Sequence, residues 1–370
     1  MCTKRSLQWL CFLFVAILFL GWFSLIIPGI CADQNSNTPF KVGFICSGAI
    51  NDCGWNYVHN QGRLYLESKM PNVKTVLAEN IPESAESERV MEKMIAQDCK
   101  LIFTTSYGFL EPALRVAARH PDVIFMQVNR RSFKNLGTYF PYQYQPMYIA
   151  GTIAGRMTKT NKLGFVASRP VPIILQLINA FTMGVRSVNP KATAKVIWIN
   201  SWSDPPTEAE AAKGLAESGV DVVVNIQDNQ TTVLRTAESL GLYSVGCWAD
   251  AHQLAPKGWL TGAYLDFGPF YVKITKSVID HTWKTCAVTN CMQEGFTKLS
   301  LFGRAVPSEM CKQALVLEQN IKSGKFVIFK GPLKDRDGKK HLTAGQVADP
   351  KWLANIDFFV PGVDGSLPKK

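Results

Sequence analysis

Short apolar runs alternate with amphipathic stretches along most of this chain. The runs VGFIC, KLIFTTS and DVIFMQV are continuous and apolar, which is typical of strands covered on both faces of a parallel sheet. Between them, segments such as SAESERVMEKMIAQ repeat apolar residues at helical spacing and begin with acidic side chains. The order β-α-β-α-β-α-β predicts an α/β fold, a mostly parallel sheet with helices on both faces.

A second alternating unit follows Tyr148. Its apolar runs KLGFVAS, AKVIWIN, DVVVNIQ and YSVGCWA predict strands, and the stretches between them predict helices. The segment WLTGAYLDF then predicts a strand that returns to the first unit. Two lobes of one architecture leave a cleft between them. We predict that lobe 1 comprises residues 40–145 and 255–300, lobe 2 comprises residues 146–254, and residues 301–370 pack on the lobes.

The N-terminal residues 1–32 follow a different pattern. Two basic residues precede an uncharged, almost wholly apolar run from Leu7 to Ile30, as in a signal peptide or an N-terminal anchor. The run is long enough to span a bilayer, which needs about 20 apolar residues. Ala32 favours cleavage, while Cys31 leaves lipid attachment open. A cleaved signal, a lipoprotein and a retained anchor all place the rest of the chain outside the cytoplasm.

Composition narrows the range of functions. Lysines and arginines number 40 against 29 acidic residues, giving a net charge of +11, but these charges are dispersed. The sequence lacks the stripe of basic residues interleaved with aromatic residues that is typical of nucleic-acid-binding proteins. The histidines are scattered without zinc-ligand spacing, and neither a nucleophile elbow nor a dinucleotide fingerprint is present. We therefore expect no nucleic-acid partner, no metal, no cofactor and no enzymatic activity.

One pair of cysteines is close in sequence. Cys286 and Cys291 bracket the turn-like spacer AVTN. In an oxidising compartment this spacing is compatible with a local disulfide. The alternative is that the cysteines are small buried hydrophobic residues.

Several strings, in order along the chain, carry a resemblance to a known family. They are GWNYVHNQGR, IFTTSYGF, YIAGTIAGRMTKTNKLGFVAS, WINSWSDPPTEAEAAKGL and LDFGPFYVK. Together they resemble the basic membrane protein family, the substrate-binding components of ABC importers for purines and nucleosides. The resemblance extends from about Lys41 to the C-terminus. It implies a type I periplasmic binding fold, with two Rossmann-like lobes joined by a hinge of three crossing segments.

The resemblance also implies a function. The chain is expected to capture a purine base, adenine-like, or a nucleoside, and to deliver it to an ABC permease. It would act as a monomer in the periplasm or at the outer face of the cytoplasmic membrane. The alternative is a membrane-anchored ligand-sensing module that signals through a partner protein, which a retained N-terminal helix would favour.

Candidate ligand-binding residues follow the predicted strands, where ligands of open α/β sheets bind. Flat aromatic side chains stack on purine rings, and carboxylates or amides hydrogen-bond to the ring edge. In the first unit the candidates are Trp55 and Asn56 after the first strand, and Tyr107 and Phe109 after LIFTTS. The alternative for Trp55 is a core position.

The second unit supplies the remaining candidates. Trp202 follows the strand AKVIWIN, Asp228 follows DVVVNIQ, and Trp248 and Asp250 end YSVGCWA. Asp266, in the segment LDFGPFY, is a candidate for the hinge or the site. The alternative role of Asp228 is to cap the following helix.

One position departs from the pattern of the related branch. After KLGFVAS that branch often has the sequence Pro-Ile-Pro-Glu, whereas this chain has Pro170, Val171, Pro172 and Ile173. An apolar side chain therefore replaces an acid that would contact the ligand. The departure bears on the identity of the ligand and leaves the fold prediction unchanged.

Overall fold

The computed structural model describes residues 38–367. The predicted signal or anchor at residues 1–32 lies outside this range. Between residues 38 and 367, none of the helices has both the length and the apolarity to cross a membrane.

The strands and helices alternate along most of the described chain. The strands are β1 (Phe40–Ile45), β2 (Val73–Ala78), β3 (Cys99–Thr104), β4 (Ile124–Val128), β5 (Leu136–Pro141), β6 (Lys162–Ala167), β7 (Thr193–Trp198), β8 (Val222–Ile226), β9 (Tyr243–Gly246), β10 (Trp259–Leu265), β11 (Ala287–Asn290), β12 (Thr297–Leu299), β13 (Leu333–Lys334), β14 (Lys340–Leu342) and β15 (Val363–Asp364). The helices are α1 (Trp55–Lys69), α2 (Ala85–Ala96), α3 (Leu110–Arg119), α4 (Tyr144–Met157), α5 (Pro172–Val188), α6 (Pro205–Glu217), α7 (Thr231–Ser239), α8 (Gly268–Ile279), α9 (Ser308–Lys322) and α10 (Pro350–Ala354).

Capping residues explain where several helices begin and end. The Ser84 side chain accepts a hydrogen bond from the Glu86 amide at the start of α2, where acidic residues also favour the helix dipole. The Asp204 carboxylate accepts from the Thr207 amide at the start of α6. After α6, Gly219 takes a φ of +83°, the left-handed conformation that ends many helices.

The first sheet is entirely parallel. Its strand order is β11-β5-β4-β3-β1-β2, and each neighbouring pair runs in the same direction. The central strands β3 and β4 are apolar and almost wholly buried, because helices cover both faces. The predicted parallel α/β architecture is confirmed here.

The second sheet has the order β12-β10-β9-β8-β6-β7-β15, and only the β10–β12 pair is antiparallel. The strand β10 pairs with β9, so it lies in the second sheet and does not return to the first as its sequence position predicts. The backbones approach closely at this pair. A Cβ on Gly262 would lie 2.5 Å from the Gly246 carbonyl oxygen, and both glycines allow the contact.

The described chain passes between the two sheets three times. It crosses after β5, again between β10 and α8, and finally between β11 and β12. Helix α8 packs against α1 beside the first sheet, where a Cβ on Gly62 would lie 2.8 Å from the Tyr271 ring. Strand β11 then extends the first sheet beside β5.

The C-terminal segment is fixed to helix α5. The Gln176 side-chain amide donates to the Leu353 carbonyl at 2.8 Å. The Asn179 side chain donates to the Phe358 carbonyl at 2.9 Å and accepts from the Val360 amide at 3.0 Å. These bonds satisfy buried main-chain groups, because most of this segment lacks regular structure.

The Cys286–Cys291 disulfide that the sequence left open is absent, and neither cysteine forms a disulfide. The two residues flank the extended strand β11, not a turn. Five residues of strand span roughly 16 Å at the usual rise. A disulfide requires Cα atoms roughly 4.4–6.8 Å apart, so the strand holds the cysteines beyond bonding distance.

Candidate functional site

A small cavity lies between the two sheets. Aromatic and aliphatic side chains form most of its wall, and a serine, a tyrosine hydroxyl and an aspartate add polar groups. The lining residues are Trp55, Ser106, Tyr107, Val128, Phe140, Ile173, Ile174, Trp202, Asp228 and Trp248.

The topology explains why these residues meet. Residues from the first sheet lie at or just beyond the carboxyl ends of β1, β3, β4 and β5, and residues from the second follow β6, β7, β8 and β9. The carboxyl ends of parallel strands lie at one edge of a sheet, and the two edges face each other here. This is the usual ligand position in open α/β sheets.

Two tryptophans form an aromatic corner. The rings of Trp55 and Trp248 lie 5.0 Å apart between centroids, with an angle of 85° between their planes. The Trp55 indole N–H donates to the Thr105 carbonyl at 2.7 Å, and the Trp248 indole N–H donates to the Gln227 carbonyl at 2.9 Å. Because both polar N–H groups are satisfied in the protein, the rings offer apolar faces to the cavity.

Trp248 has a constrained backbone. Its φ of +72° is in the left-handed region, which is unfavourable for a large side chain. Its carbonyl accepts a hydrogen bond from the Leu265 amide at 2.8 Å. Such strain costs roughly 1–3 kcal/mol and tends to occur at functional sites.

The mouth of the cavity is lined by Tyr107 and Trp202. Tyr107 is 52% exposed, and Trp202 is half-buried. The Arg169 guanidinium lies 5.7 Å from the Trp202 ring, a cation–π contact. These two aromatic side chains can therefore shield a ligand from solvent.

Asp228 places a carboxyl group in this mostly apolar wall. The residue is buried, with 8% of its surface exposed. Even so, no side chain or main-chain amide among residues 38–367 donates a hydrogen bond to its carboxyl group. Burial raises the pKa of this carboxyl well above its usual range, and the carboxylates of Asp52, Glu83 and Glu208 add to the rise. An acceptor without a protein partner is thus available to a ligand.

Glu208, close to this site, is a second carboxyl group whose pKa burial raises. Its Oε1 accepts from the Asp204 amide at 2.8 Å, while its Oε2 has no partner among the described residues. Burial, followed in size by the Asp204 charge, raises the pKa of Glu208 to about 7. The hydrogen bond from the Asp204 amide and a side-chain interaction with Thr232 lower the pKa and so act in the opposite direction.

We expect Glu208→Gln to stabilise the protein above pH 7. The unfolded Glu208 ionises near its usual pKa and the folded one near 7, so its contribution to stability falls as pH rises between these values. Gln keeps the Oε1 acceptor but adds an unpaired N–H, so the net gain should be about 1 kcal/mol. Thermal unfolding at pH 4 and pH 8 measures the effect. An equal change at both pH values would contradict it.

A polar cleft extends from the cavity to the surface and shares Trp202 and Asp228 with it. Asn56 lines this cleft, not the cavity. Its side-chain amide donates to Asp52 Oδ2 at 2.8 Å, and its Oδ1 accepts from the Gly48 amide at 3.2 Å. Asn56 therefore holds the β1–α1 loop together.

Three other predicted residues lie away from the cavity. Phe109 is fully buried in the core of the first sheet, in a cluster with Ile45 and Phe125. Asp250 accepts hydrogen bonds from His252, including one from Nδ1 at 3.0 Å. Asp266 pairs with Lys298 at 2.7 Å. The structure thus brings Trp55, Tyr107, Trp202, Asp228 and Trp248 together and leaves these three elsewhere.

Helix capping distinguishes two aspartates of the second unit. Asp204, which precedes two prolines, caps α6. Asp228 does not cap α7, because that helix begins at Thr231 with Gln230 at its N-cap position.

Several lining residues are not among those predicted from the sequence. Ser106 and Val128 lie at the carboxyl ends of predicted strands, so the same rule applied to every residue there would have found them. Phe140 lies in β5, whose LGTYFP sequence gives a weak strand pattern. Ile173 lines the cavity, so the apolar substitution noted in the sequence falls in the wall itself.

Comparison with known proteins places the chain in a family. Residues 40–337 match the Bmp family model, described as PnrA-like ABC transporter substrate-binding proteins. A purine-binding protein of Brucella abortus is 39% identical over 89% of this chain and 94% of its own length. A protein of Haloferax volcanii, named as a candidate glucose-binding protein of an ABC transporter, is 32% identical over 86% of this chain and 79% of its own length.

Solved structures show the same fold. A solute-binding protein of an ABC transporter system from Aeropyrum pernix superimposes with a TM-score of 0.67 at 17% identity, covering 78% of this chain and 94% of that one. Similarity at this identity supports the fold alone, and it confirms the type I periplasmic binding architecture. Together with the family match, these findings show that the chain belongs to the PnrA-like substrate-binding proteins of ABC transporters.

Proposed function

We propose that this protein captures a purine base, adenine or a close analogue, in the aromatic cavity. The observation that carries the proposal is the combination of indole faces with one buried, unpartnered carboxyl group. A purine is flat and apolar on its faces and carries N–H groups on its edge. The cavity offers a matching surface for each part, and the Brucella abortus relative is named for purine binding.

Stacking would supply much of the affinity. Trp55, Trp202 and Trp248 contribute aromatic surface from both sides of the cleft. Stacking of a base on an aromatic side chain contributes about 1–3 kcal/mol by alanine substitution in nucleic-acid-binding proteins. The indole N–H groups of Trp55 and Trp248 are already bonded to the protein, so neither competes for the edge of the ligand.

Asp228 would orient the ring. Its carboxylate accepts hydrogen bonds from a ring N–H or the exocyclic amine. A hydrogen bond to a charged acceptor contributes about 1.5–3 kcal/mol, and a ligand N–H donor would favour ionisation of a carboxyl group whose pKa burial raises in the free protein. Ile173 faces the same cavity and cannot contribute a second acceptor.

A hexose is a poorer match for this cavity. Each buried hydroxyl of a sugar requires a hydrogen-bond partner, and an unpaired one costs free energy. Among the lining residues, hydroxyl and carboxyl groups come from Ser106, Tyr107 and Asp228, and most of the remaining wall is apolar. The glucose-binding name of the Haloferax volcanii relative therefore gives a useful control ligand.

Capture would serve import. Proteins of this family work with an ABC permease. We propose that this chain closes around the base outside the cytoplasmic membrane and delivers the base to such a permease. Closing requires that the ligand bind the closed form more tightly than the open form.

Calorimetric titration of refolded protein lacking residues 1–32 tests the proposal. Refolding removes any ligand that copurifies. We expect micromolar or tighter binding of adenine, weaker binding of adenosine, and no heat with glucose. Equal binding of adenosine would assign nucleosides instead, and binding of glucose alone would overturn the purine proposal.

A further inference from the structure

Two loops from opposite sides of the cleft are joined by main-chain hydrogen bonds. The Trp55 amide donates to the Asp228 carbonyl at 3.2 Å, and the Gln230 amide donates to the Asp52 carbonyl at 3.1 Å. The Gln230 side-chain amide donates to the Cys53 carbonyl at 2.8 Å. One loop follows β1 of the first sheet, and the other follows β8 of the second.

The first loop is ordered by its own aspartate. Asp52 Oδ1 accepts from the amides of Gly54 and Tyr57 at 2.8 and 2.9 Å. Its Oδ2 accepts from the Asn56 amide at 3.0 Å. These bonds cap α1 and leave the carbonyls of Asp52 and Cys53 free to face the other loop.

The second loop is held as firmly. Gln230 is fully buried, and its Oε1 accepts from the Cys247 amide at 2.9 Å. Its Nε2 donates to the Ala249 carbonyl at 3.1 Å as well as to Cys53 across the cleft. The side chain is therefore fixed within the second sheet before it reaches the first loop.

Gly54 allows the loops to touch. A Cβ at this position would lie 1.8 Å from the Asp228 carbonyl oxygen and 2.9 Å from its carbonyl carbon. Both atoms belong to the main chain, so no side chain can move aside. Any residue other than glycine would have to separate the two loops.

We propose that residues 52–55 and 228–230 form a clasp that holds the two lobes closed over the ligand. The clasp adjoins the cavity, because Trp55 and Asp228 supply both ends of one clasp bond and also line the wall. A bound ring touching both side chains holds the two ends of that bond together. The expected effect of the clasp on ligand release rests on the purine-binding function proposed above.

The variant Gly54→Ala tests the clasp. We expect adenine to dissociate at least tenfold faster, with little change in the association rate, because the substitution destabilises only the closed form. Gly214→Ala is the matched control, since a Cβ there meets no atom within 4 Å. Stopped-flow tryptophan fluorescence gives both rates. Unchanged dissociation from Gly54→Ala would overturn the clasp while leaving purine binding intact.

Hydrogen exchange tests the clasp without a ligand. The amides of Trp55 and Gln230 lie at helix N-termini, where no acceptor exists within the helix, so their protection reports the bonds across the cleft. We expect both amides to exchange at least tenfold faster in Gly54→Ala than in the Gly214→Ala control. Equal exchange would overturn the clasp, even if no purine binds to the protein.

If the Gly54→Ala variant does not fold, hydrogen exchange in the wild-type protein still tests the clasp. In the wild-type protein with adenine, or without it if adenine does not bind, both amides should exchange at least a hundredfold more slowly than amides of an unstructured loop. Exchange at the unstructured rate would overturn the clasp.

Discussion

Asp228→Asn is expected to weaken adenine binding about a hundredfold while making the free protein more stable. The carboxylate would provide charge-assisted hydrogen bonds to the purine edge, and losing about 3 kcal/mol of such interactions corresponds to this factor. Asn keeps the size and one oxygen acceptor, so the change removes charge without opening a hole. Calorimetric titration and thermal unfolding measure the two effects.

The gain in stability of the Asp228→Asn variant follows from the raised pKa of the buried carboxyl group. The unfolded Asp228 ionises near its usual pKa, whereas burial raises the folded pKa well above that value. Between the two pKa values the folded state holds an extra proton, so the contribution of Asp228 to stability falls as pH rises through this window. Asn removes the fall, and the gain in stability should be larger at pH 8 than at pH 4.

Asp250→Asn is the matched control for this prediction. Asp250 also follows a strand of the second sheet, but it accepts hydrogen bonds from His252 and lies outside the cavity. Its substitution should change adenine affinity less than twofold. If Asp228→Asn binds adenine as the wild type does, Asp228 has no part in recognition.

Trp55→Ala is expected to lower both affinity and stability. Trp55 is 7% exposed, and its ring packs against Trp248, His59 and Phe267. Removing a buried indole costs about 3–5 kcal/mol of folding free energy. The loss of a stacking face should also weaken adenine binding at least tenfold. Binding is therefore measured at low temperature, with circular dichroism confirming that the variant is folded.

Trp198→Ala separates the two effects. Trp198 is half-buried, stacks on Phe359 and donates its indole N–H to the Ser366 carbonyl at 2.8 Å, away from the cavity. Its truncation should lower the unfolding temperature and leave adenine affinity unchanged. A Trp55→Ala protein that loses stability but keeps full affinity would assign Trp55 to the core alone, the alternative raised by its sequence.

The sequence predicts the site best for residues that directly follow a strand, because ligands of open α/β sheets bind at the carboxyl ends of the strands. Trp55, Tyr107, Trp202, Asp228 and Trp248 follow apolar runs, and parallel strands bring those positions to facing edges. The rule fails over the next few residues. Tyr107 and Phe109 share one short 3-10 turn, which directs the first side chain to the cavity and the second into the core. The left-handed backbone of Trp248 likewise precedes the turn that leaves Asp250 beside His252.

Strand partners are a second limit. The WLTGAYLDF run predicts a strand correctly, but an apolar strand suits either sheet. Its place is decided by contacts distant in sequence, including the close approach of Gly262 to Gly246. Strand β11 shows the same limit, because a short AVTN segment resembles a turn until β5 provides its hydrogen-bonding partner.

The contact between Gly54 and Asp228 separates two tasks by the atoms they use. The clasp uses the carbonyl of Asp228, a group present in every amino acid, whereas ligand choice would depend on its side chain. Position 228 can therefore be varied widely without losing the closing contact. Position 54 has no such freedom. A library aimed at new ligands should randomise residue 228 together with Ile173 and leave the glycine untouched.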